Sequence, residues 1–390
     1  MHCHPRFARV RAAFERNFAD GHEVGAAFAV YLDGELIVDL WDGTADRVSG
    51  RPWERDTPAF IFSCTKAVTA AVLLRLAERG LVDLAAPVKE VWPEFTAPAT
   101  VEHLLTHQAG LPVIEERVPV EEFGDLPAIA ARLAGQQPVW EPGTAHGYHA
   151  LTYGFLIGEV VRRVTGKSVG ELVAADIAGP LDLELWLGAP DPVIARAARL
   201  TTKRLSQQSG TAGPTEPATE ALEGGDATAG PLAGMVAAGR DPESLVNRAM
   251  GNPRINDLEG GANNPALLRA AWPAVGVVAT ARGLAGFYRA LVAGEVLELG
   301  TLTDAIRPRV RGEDRVLRLD SSFGLGFMRP ALTFFSPAET AFGHTGSGGF
   351  IGLGDLEHRL AIGYVMNHMD NAPAGSLRGY HLTKAVYDSL

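Results

Sequence analysis

Apolar positions recur along this chain with two periods, one helical and one strand-like. Over residues 6–20, Phe7, Val10, Ala13, Phe14 and Phe18 fall on one side of an amphipathic helix. Two strand-like runs come next, Gly25–Leu32 and Glu35–Trp41, joined by Asp33-Gly34, a two-residue hairpin signal. A helix and then a hairpin open an α+β fold, with the helix covering the sheet. From Ser63 the pattern turns helical again. Val68, Val72, Leu73 and Leu76 share one face, and Gly80 suits the left-handed stop. Val101–His107 predicts a short helix ending before Gly110, and Leu156, Ile157, Val160, Val161 and Val164 predict another that runs to Gly166. Residues 201–245 are rich in Gly, Ala, Thr and Pro with weak periodicity, and read as a long surface excursion over the site or a mobile loop. Beyond Trp272 the pattern tightens. Ala281–Leu291 is helical, Phe323–Met328 reads as a glycine-rich strand, and Phe342–Gly352 meets Leu360–Asn367 across a polar turn near Asp355–His358. A helix from about Ser376 closes the chain. Strands at both ends and helices between them predict one antiparallel sheet, built from 1–60 and 271–390 and flanked by helices. A mainly helical part, 61–270, is inserted into it.

Composition narrows the class without naming a chemistry. At 390 residues the chain can bury a large core, and 46% hydrophobic with 21% charged residues is ordinary for a globular protein. A net charge of −11 with no basic run argues against nucleic-acid and anionic-membrane partners. No run of about 18 apolar residues occurs, and no stretch before Arg16 resembles a signal peptide, so the expected location is the cytoplasm. The two cysteines, Cys3 and Cys64, imply no disulfide framework.

Three motifs carry candidate chemistry. Ser63-Cys64-Thr65-Lys66 comes after the apolar run Phe60-Ile61-Phe62 and opens a helix, so Lys66 lies one turn beyond Ser63 on the same side. A desolvated lysine there can take the proton of a serine hydroxyl, beside the unpaired N–H groups of the first turn. A chain of this length contains about one Ser-x-x-Lys by chance, and this is the one present; a cap with a solvated lysine is the bland alternative. His103 and His107 have an i, i+4 ligand spacing, yet no Glu follows His103 and no third ligand cluster stands out, so capping and core roles are expected instead of a metal. Gly166-Lys167-Ser168-Val169-Gly170 matches a nucleophile elbow, but it follows a helix, and Glu171 three residues after Ser168 forms a capping box. It is not a phosphate loop either, because Val161 stands where the first glycine belongs.

The Ser63/Lys66 pair, Tyr148 in a Pro/Gly-rich loop, and His344-Thr345-Gly346 together resemble the serine β-lactamase and penicillin-binding-protein superfamily. The nearest likeness is to class C β-lactamase-like esterases, the family VIII carboxylesterases. His103–Pro112, Tyr148–Gly158 and Gly324–Phe327 are also similar to family stretches, and the likeness covers the chain in order except for 201–245. It implies an α/β sandwich of β-lactamase type and an acyl-forming nucleophile at Ser63. Lys66 and Tyr148 would share the proton traffic, and the backbone N–H groups of Ser63 and Ser347 would form an oxyanion hole. His344, Thr345 and Gly346 would line the substrate strand, and no metal or cofactor is implied. Two departures stand out. Tyr148-His149-Ala150 lacks the amide of Tyr-x-Asn, and His344 replaces the lysine of Lys-Thr-Gly, leaving a group neutral for much of the time at pH 7. Both favour small, short-chain carboxylic esters over lactams or peptidoglycan. Weak β-lactamase or D-Ala-D-Ala peptidase activity, acyl transfer to an alcohol, and a catalytically silent binding protein are the alternatives. A small-molecule ester is the expected partner.

Overall fold

The computed structural model describes residues 1–202, 233–370 and 376–390. The first segment folds as its apolar pattern predicts. Helix α1 (Ala8–Ala19) buries Val10 and Phe14, after a 3-10 turn that buries Phe7. Strands β2 (Gly25–Leu32) and β3 (Glu35–Asp46) pair antiparallel, and Asp33 and Gly34 both take positive φ at the turn, 53° and 87°. Two short strands extend β3, namely β1 (His2–Cys3) and β4 (Arg51–Pro52). Near the other end, β11 (Phe342–Gly346), β12 (Phe350–Asp355) and β13 (Leu360–Met366) form a meander, and β13 pairs with β2. The order β1-β3-β2-β13-β12-β11, with β4 beside β3, is therefore one antiparallel sheet made from the two ends of the chain.

Side-chain alternation assigns its faces. Gly352 and Gly363 are cross-strand partners, and a Cβ on either would strike the helix Ala281–Val292, at Tyr288 and at the Ala281 carbonyl. The neighbouring Ile351 points the other way, towards Gly379 in the closing helix Leu377–Tyr387, which packs beside α1. Helices thus cover both faces, and the fold is the expected α+β sandwich.

Between the sheet's halves run α2 (Thr65–Glu78), α3 (Val101–Leu105), α4 (Leu126–Ala134), α5 (Thr152–Thr165) and α6 (Val169–Val173), with shorter helices after them. A small second sheet crosses their base: β5 (Ala59–Phe60) and β6 (Leu185–Leu187) pair with β8 (Val277–Ala279). A short parallel pair, β7 (Thr201–Thr202) with β14 (His368–Met369), ties the helical part to the chain just beyond β13. Helix α2 is largely enclosed, with eleven of its fourteen residues buried. It is a helix inside the protein rather than a surface helix with one wet face.

Two expectations need correction. Residues 203–232 of the 201–245 stretch lie outside the described residues, but residues 233–251 are mainly helical, not loop. Ala233–Arg240 forms one helix, and Ser244 caps a second, Leu245–Gly251, by accepting from Asn247 N. The second correction concerns Phe323–Met328. The strand, β10 (Asp320–Phe323), ends at Phe323, where the chain bends through Gly324–Gly326. Gly326 takes φ 80°, and a Cβ on Gly324 would sit 2.1 Å from the Ala305 carbonyl oxygen, so close approach rather than pairing explains both glycines. β10 pairs instead with β9 (Val310–Glu313).

The contact at Gly363 gives a stability test. Gly363→Ala places its methyl 2.3 Å from the Ala281 carbonyl oxygen and 2.7 Å from Ala285 N, backbone atoms that cannot rotate away. The substitution is expected to destabilise by roughly 1–3 kcal/mol, seen as a lower urea midpoint with an unchanged slope.

Candidate active site

The local chain explains why Ser63 stands where it does. Phe62 precedes it with φ 47°, a left-handed conformation uncommon for a bulky residue, and the backbone then enters a 3-10 turn, Phe62–Cys64, that runs into α2. Phe62 is held there by ring contacts with Phe60 at 4.9 Å and Phe350 at 6.0 Å. The Cys64 thiol donates to the His344 carbonyl at 3.2 Å and so ties the helix start to β11. Gly346 completes the junction: a Cβ there would lie 2.4 Å from the Ile61 carbonyl oxygen. β11 can approach the Ser63 turn this closely only without a side chain at that position.

Lys66 has 0% relative exposure, and its Nζ lies 3.2 Å from Ser63 Oγ, 2.8 Å from the Ala150 carbonyl and 3.1 Å from the Ala274 carbonyl. Burial pushes its pKa well below the ordinary lysine value. A neutral amine fits this cage: two N–H groups go to the two carbonyls, and the lone pair is left for the Ser63 hydroxyl. Both carbonyls are themselves fixed. Thr65 and Thr69 of α2 bind the 273–277 segment, through Val277 N and the Pro273 carbonyl. Gly154 admits that segment against α5, since a Cβ there would be 2.3 Å from Ala274 N. Ala150, where the related motif carries an amide side chain, contributes its backbone oxygen instead.

Tyr148 is buried, with its ring 4.7 Å from Lys66 Nζ, and it shares a cleft lining with Ser63. Burial raises its pKa above the usual tyrosine value. Its ring lies between His107 (5.0 Å), His344 (6.1 Å) and Phe323, which stacks at 6.2 Å. The loop carrying it is pinned by imidazoles. His149 N donates to His107 Nδ1 (3.1 Å), Leu111 N donates to His149 Nε2 (3.0 Å), and His149 Nδ1 donates to the Gly147 carbonyl (2.7 Å). Burial lowers His149 to about 4, His344 to about 3, and His107 well below the usual value.

The other sequence candidates fall in several places. Ser63, Tyr148, Ala150 and Ser347 line one cleft of about 850 Å³, whose apolar walls include Phe62, Leu151, Leu200, Ile255 and Met369, with Arg47 and Arg199 at its exposed mouth. His344, Thr345 and Gly346 are buried behind that lining. His344 Nδ1 faces the Thr345 carbonyl at 2.7 Å, and Thr345 Oγ1 donates to the Thr333 carbonyl. His103 is an N-terminal capping partner of Thr100, and His107 is a core histidine. Ser168 and Glu171 form the capping box expected from their spacing. Sequence reasoning missed Ala274, whose contribution is a backbone oxygen and leaves no side-chain signal. It also missed Asp314, hidden in a charged run, whose carboxylate accepts from Tyr148 N at 3.0 Å.

A cleft-lining serine beside a buried lysine and tyrosine, between a sheet edge and an enclosed helix, is the arrangement of the serine β-lactamase fold. The chain belongs to the beta-lactamase family, whose profile matches residues 10–386. It is 36% identical to the esterase/beta-lactamase LipL of Mycobacterium tuberculosis over 97% of this chain and 86% of the relative. Among solved structures it is similar to a family VIII carboxylesterase, with TM-score 0.85 and 35% identity over 100% of this chain and 99% of that one. A penicillin-binding-protein homologue from Caulobacter crescentus gives TM-score 0.84 and 36% identity at the same coverage. No helix among the described residues is long and apolar enough to cross a membrane.

The buried imidazoles set an acid limit on stability. In the unfolded chain they take up protons near pH 6.5, whereas His149 and His344 do so in the fold only near 4 and 3. The contribution of these imidazoles is therefore full above about pH 6.5 and is lost as pH falls towards 4, with His149 accounting for roughly 3 kcal/mol of the loss. Urea midpoints should drop steeply between pH 7 and 4.5, and His149→Gln should flatten that drop.

Proposed function

We propose that the protein is a serine hydrolase that cleaves small carboxylic esters with short acyl chains through an acyl-enzyme on Ser63. The observation that carries this reading is the sealed Lys66 amine, whose one free direction faces the Ser63 hydroxyl. In the proposed path Lys66 accepts the Ser63 proton as Oγ attacks the ester carbonyl. The developing oxyanion is met by the backbone N–H groups of Ser63 and Ser347, both on the cleft wall. Tyr148 passes its hydroxyl proton to the departing alkoxide and regains one from Lys66, so the alcohol leaves neutral. Water then repeats the sequence on the acyl-serine and restores the free enzyme.

Small neutral esters suit the cleft better than lactams or peptidoglycan for two reasons. Burial holds His344 neutral, with a pKa of about 3, so the third motif offers no cation for a substrate carboxylate. Ala150 has no side-chain amide to hold an acylamino group. The relatives support the same reading, since two of those described carry esterase or carboxylesterase in their names.

With a short-chain nitrophenyl ester, Ser63→Ala and Lys66→Met should each lower turnover by at least roughly 10³-fold. An equal rate from Ser63→Ala would end the proposal. Because the Lys66 pKa is depressed and the Tyr148 pKa raised, the rate should rise from acid to mildly alkaline pH as Lys66 loses its proton. A profile flat from about pH 5 to 9 would contradict the role given to Lys66. A chromogenic cephalosporin turned over faster than any ester would move the assignment to β-lactamase.

A further inference from the structure

Asp314 lies outside the cleft lining and outside every motif in the sequence. It comes after β9, in the turn to β10, and its side chain is completely buried. Oδ1 accepts three backbone N–H groups: Tyr148 at 3.0 Å, Val316 at 2.9 Å and Leu317 at 2.8 Å. Oδ2 accepts from Ser321 Oγ at 3.2 Å, and Ser321 Oγ in turn accepts from His146 Nε2 at 2.9 Å. Arg315 N donates to the His146 carbonyl at 3.1 Å. The carboxylate thus ties the 146–148 loop to the 314–321 turn, and every donor it uses is neutral. Among the described residues no ion pair reaches it. Its order, histidine to serine to aspartate, leaves the serine hydroxyl donating to the acid, so this is a brace and not a second nucleophile.

A buried carboxylate without a cation is costly to desolvate, and shape alone does not require one, since an amide could accept the same N–H groups. What the acid adds is charge beside the loop that carries the phenol. We propose that Asp314 is a positioning residue for Tyr148: its carboxylate fixes the Tyr148 backbone so that the phenol meets Ser63, a role that presupposes the proton relay through Tyr148 described above. The titratable groups around that phenol are Lys66 and Cys64 at the helix start, His107 and His344 against the ring, Tyr153 behind Lys66, and Asp314. Burial holds the two imidazoles neutral and pushes the Cys64 thiol and the Tyr153 phenol up. Burial is what chiefly keeps the phenol protonated until an alkoxide needs the proton, and Asp314 acts in the same direction.

The test is a two-background kinetic comparison. Asp314→Asn keeps an acceptor at the loop but removes the charge. It should lower kcat by about 10- to 100-fold with KM within about two-fold. In a Tyr148→Phe background the same substitution should cost nothing further, because the hydroxyl it positions is already gone. An additive loss in that background overturns the proposal. Should Asp314→Asn not fold, Ser321→Ala removes one donor to Oδ2 and is read the same way. A loss confined to the Tyr148 background supports the role, and an additive loss overturns it. Wild-type turnover by Tyr148→Phe alone would instead refute the relay, which separates the two failures.

Discussion

The structure depends on keeping one primary amine dry. Lys66 lies in the middle of the protein, one helical turn beyond Ser63, and is served by two backbone carbonyls from segments 84 and 208 residues away. Leaving it unpaired would cost several kcal/mol, and pairing it with a carboxylate would keep it protonated. Carbonyl acceptors avoid both outcomes, because they satisfy the N–H groups of an amine without demanding a charge. Much of the surrounding architecture is then a means of bringing Ala150 and Ala274 to that point.

The means are small residues and hydroxyls. Helix α2 is lined with alanine and threonine, which lets the strands and α5 close around it; Thr65 and Thr69 grip the segment that carries Ala274. Gly154 and Gly346 remove the side chains that would hold α5 and β11 away. The left-handed Phe62 turns the serine out of this packing to the cleft wall while the lysine stays inside it. One turn of chain thereby separates a partly exposed hydroxyl from a wholly buried amine.

Much of this was legible in the residues. Asp33-Gly34 named its hairpin, Gly166 and Ser168 named a helix stop and start, and the apolar run before Ser63 signalled an enclosed helix. The Phe323–Met328 reading failed because glycine between aromatics has two physical meanings, weak strand and close approach, and periodicity does not separate them. Ala233–Arg240 was missed because alanine and glycine without an apolar stripe give no helical period, although alanine favours helix. Backbone oxygens and a buried acid in a charged run leave no local trace, so the cage around Lys66 and the brace behind Tyr148 required the fold.

The cleft draws its walls from pieces of chain far apart in sequence. The atoms that meet Lys66 come from residues 63, 150 and 274, while the mouth and flanks are supplied by residues 47–48, 199–201 and 250–263. None of the three Lys66 partners belongs to those flanking stretches. Mutations there can therefore reshape what enters without disturbing the reactive pair. A lineage built on this plan is free to diversify its diet while inheriting one unchanged engine.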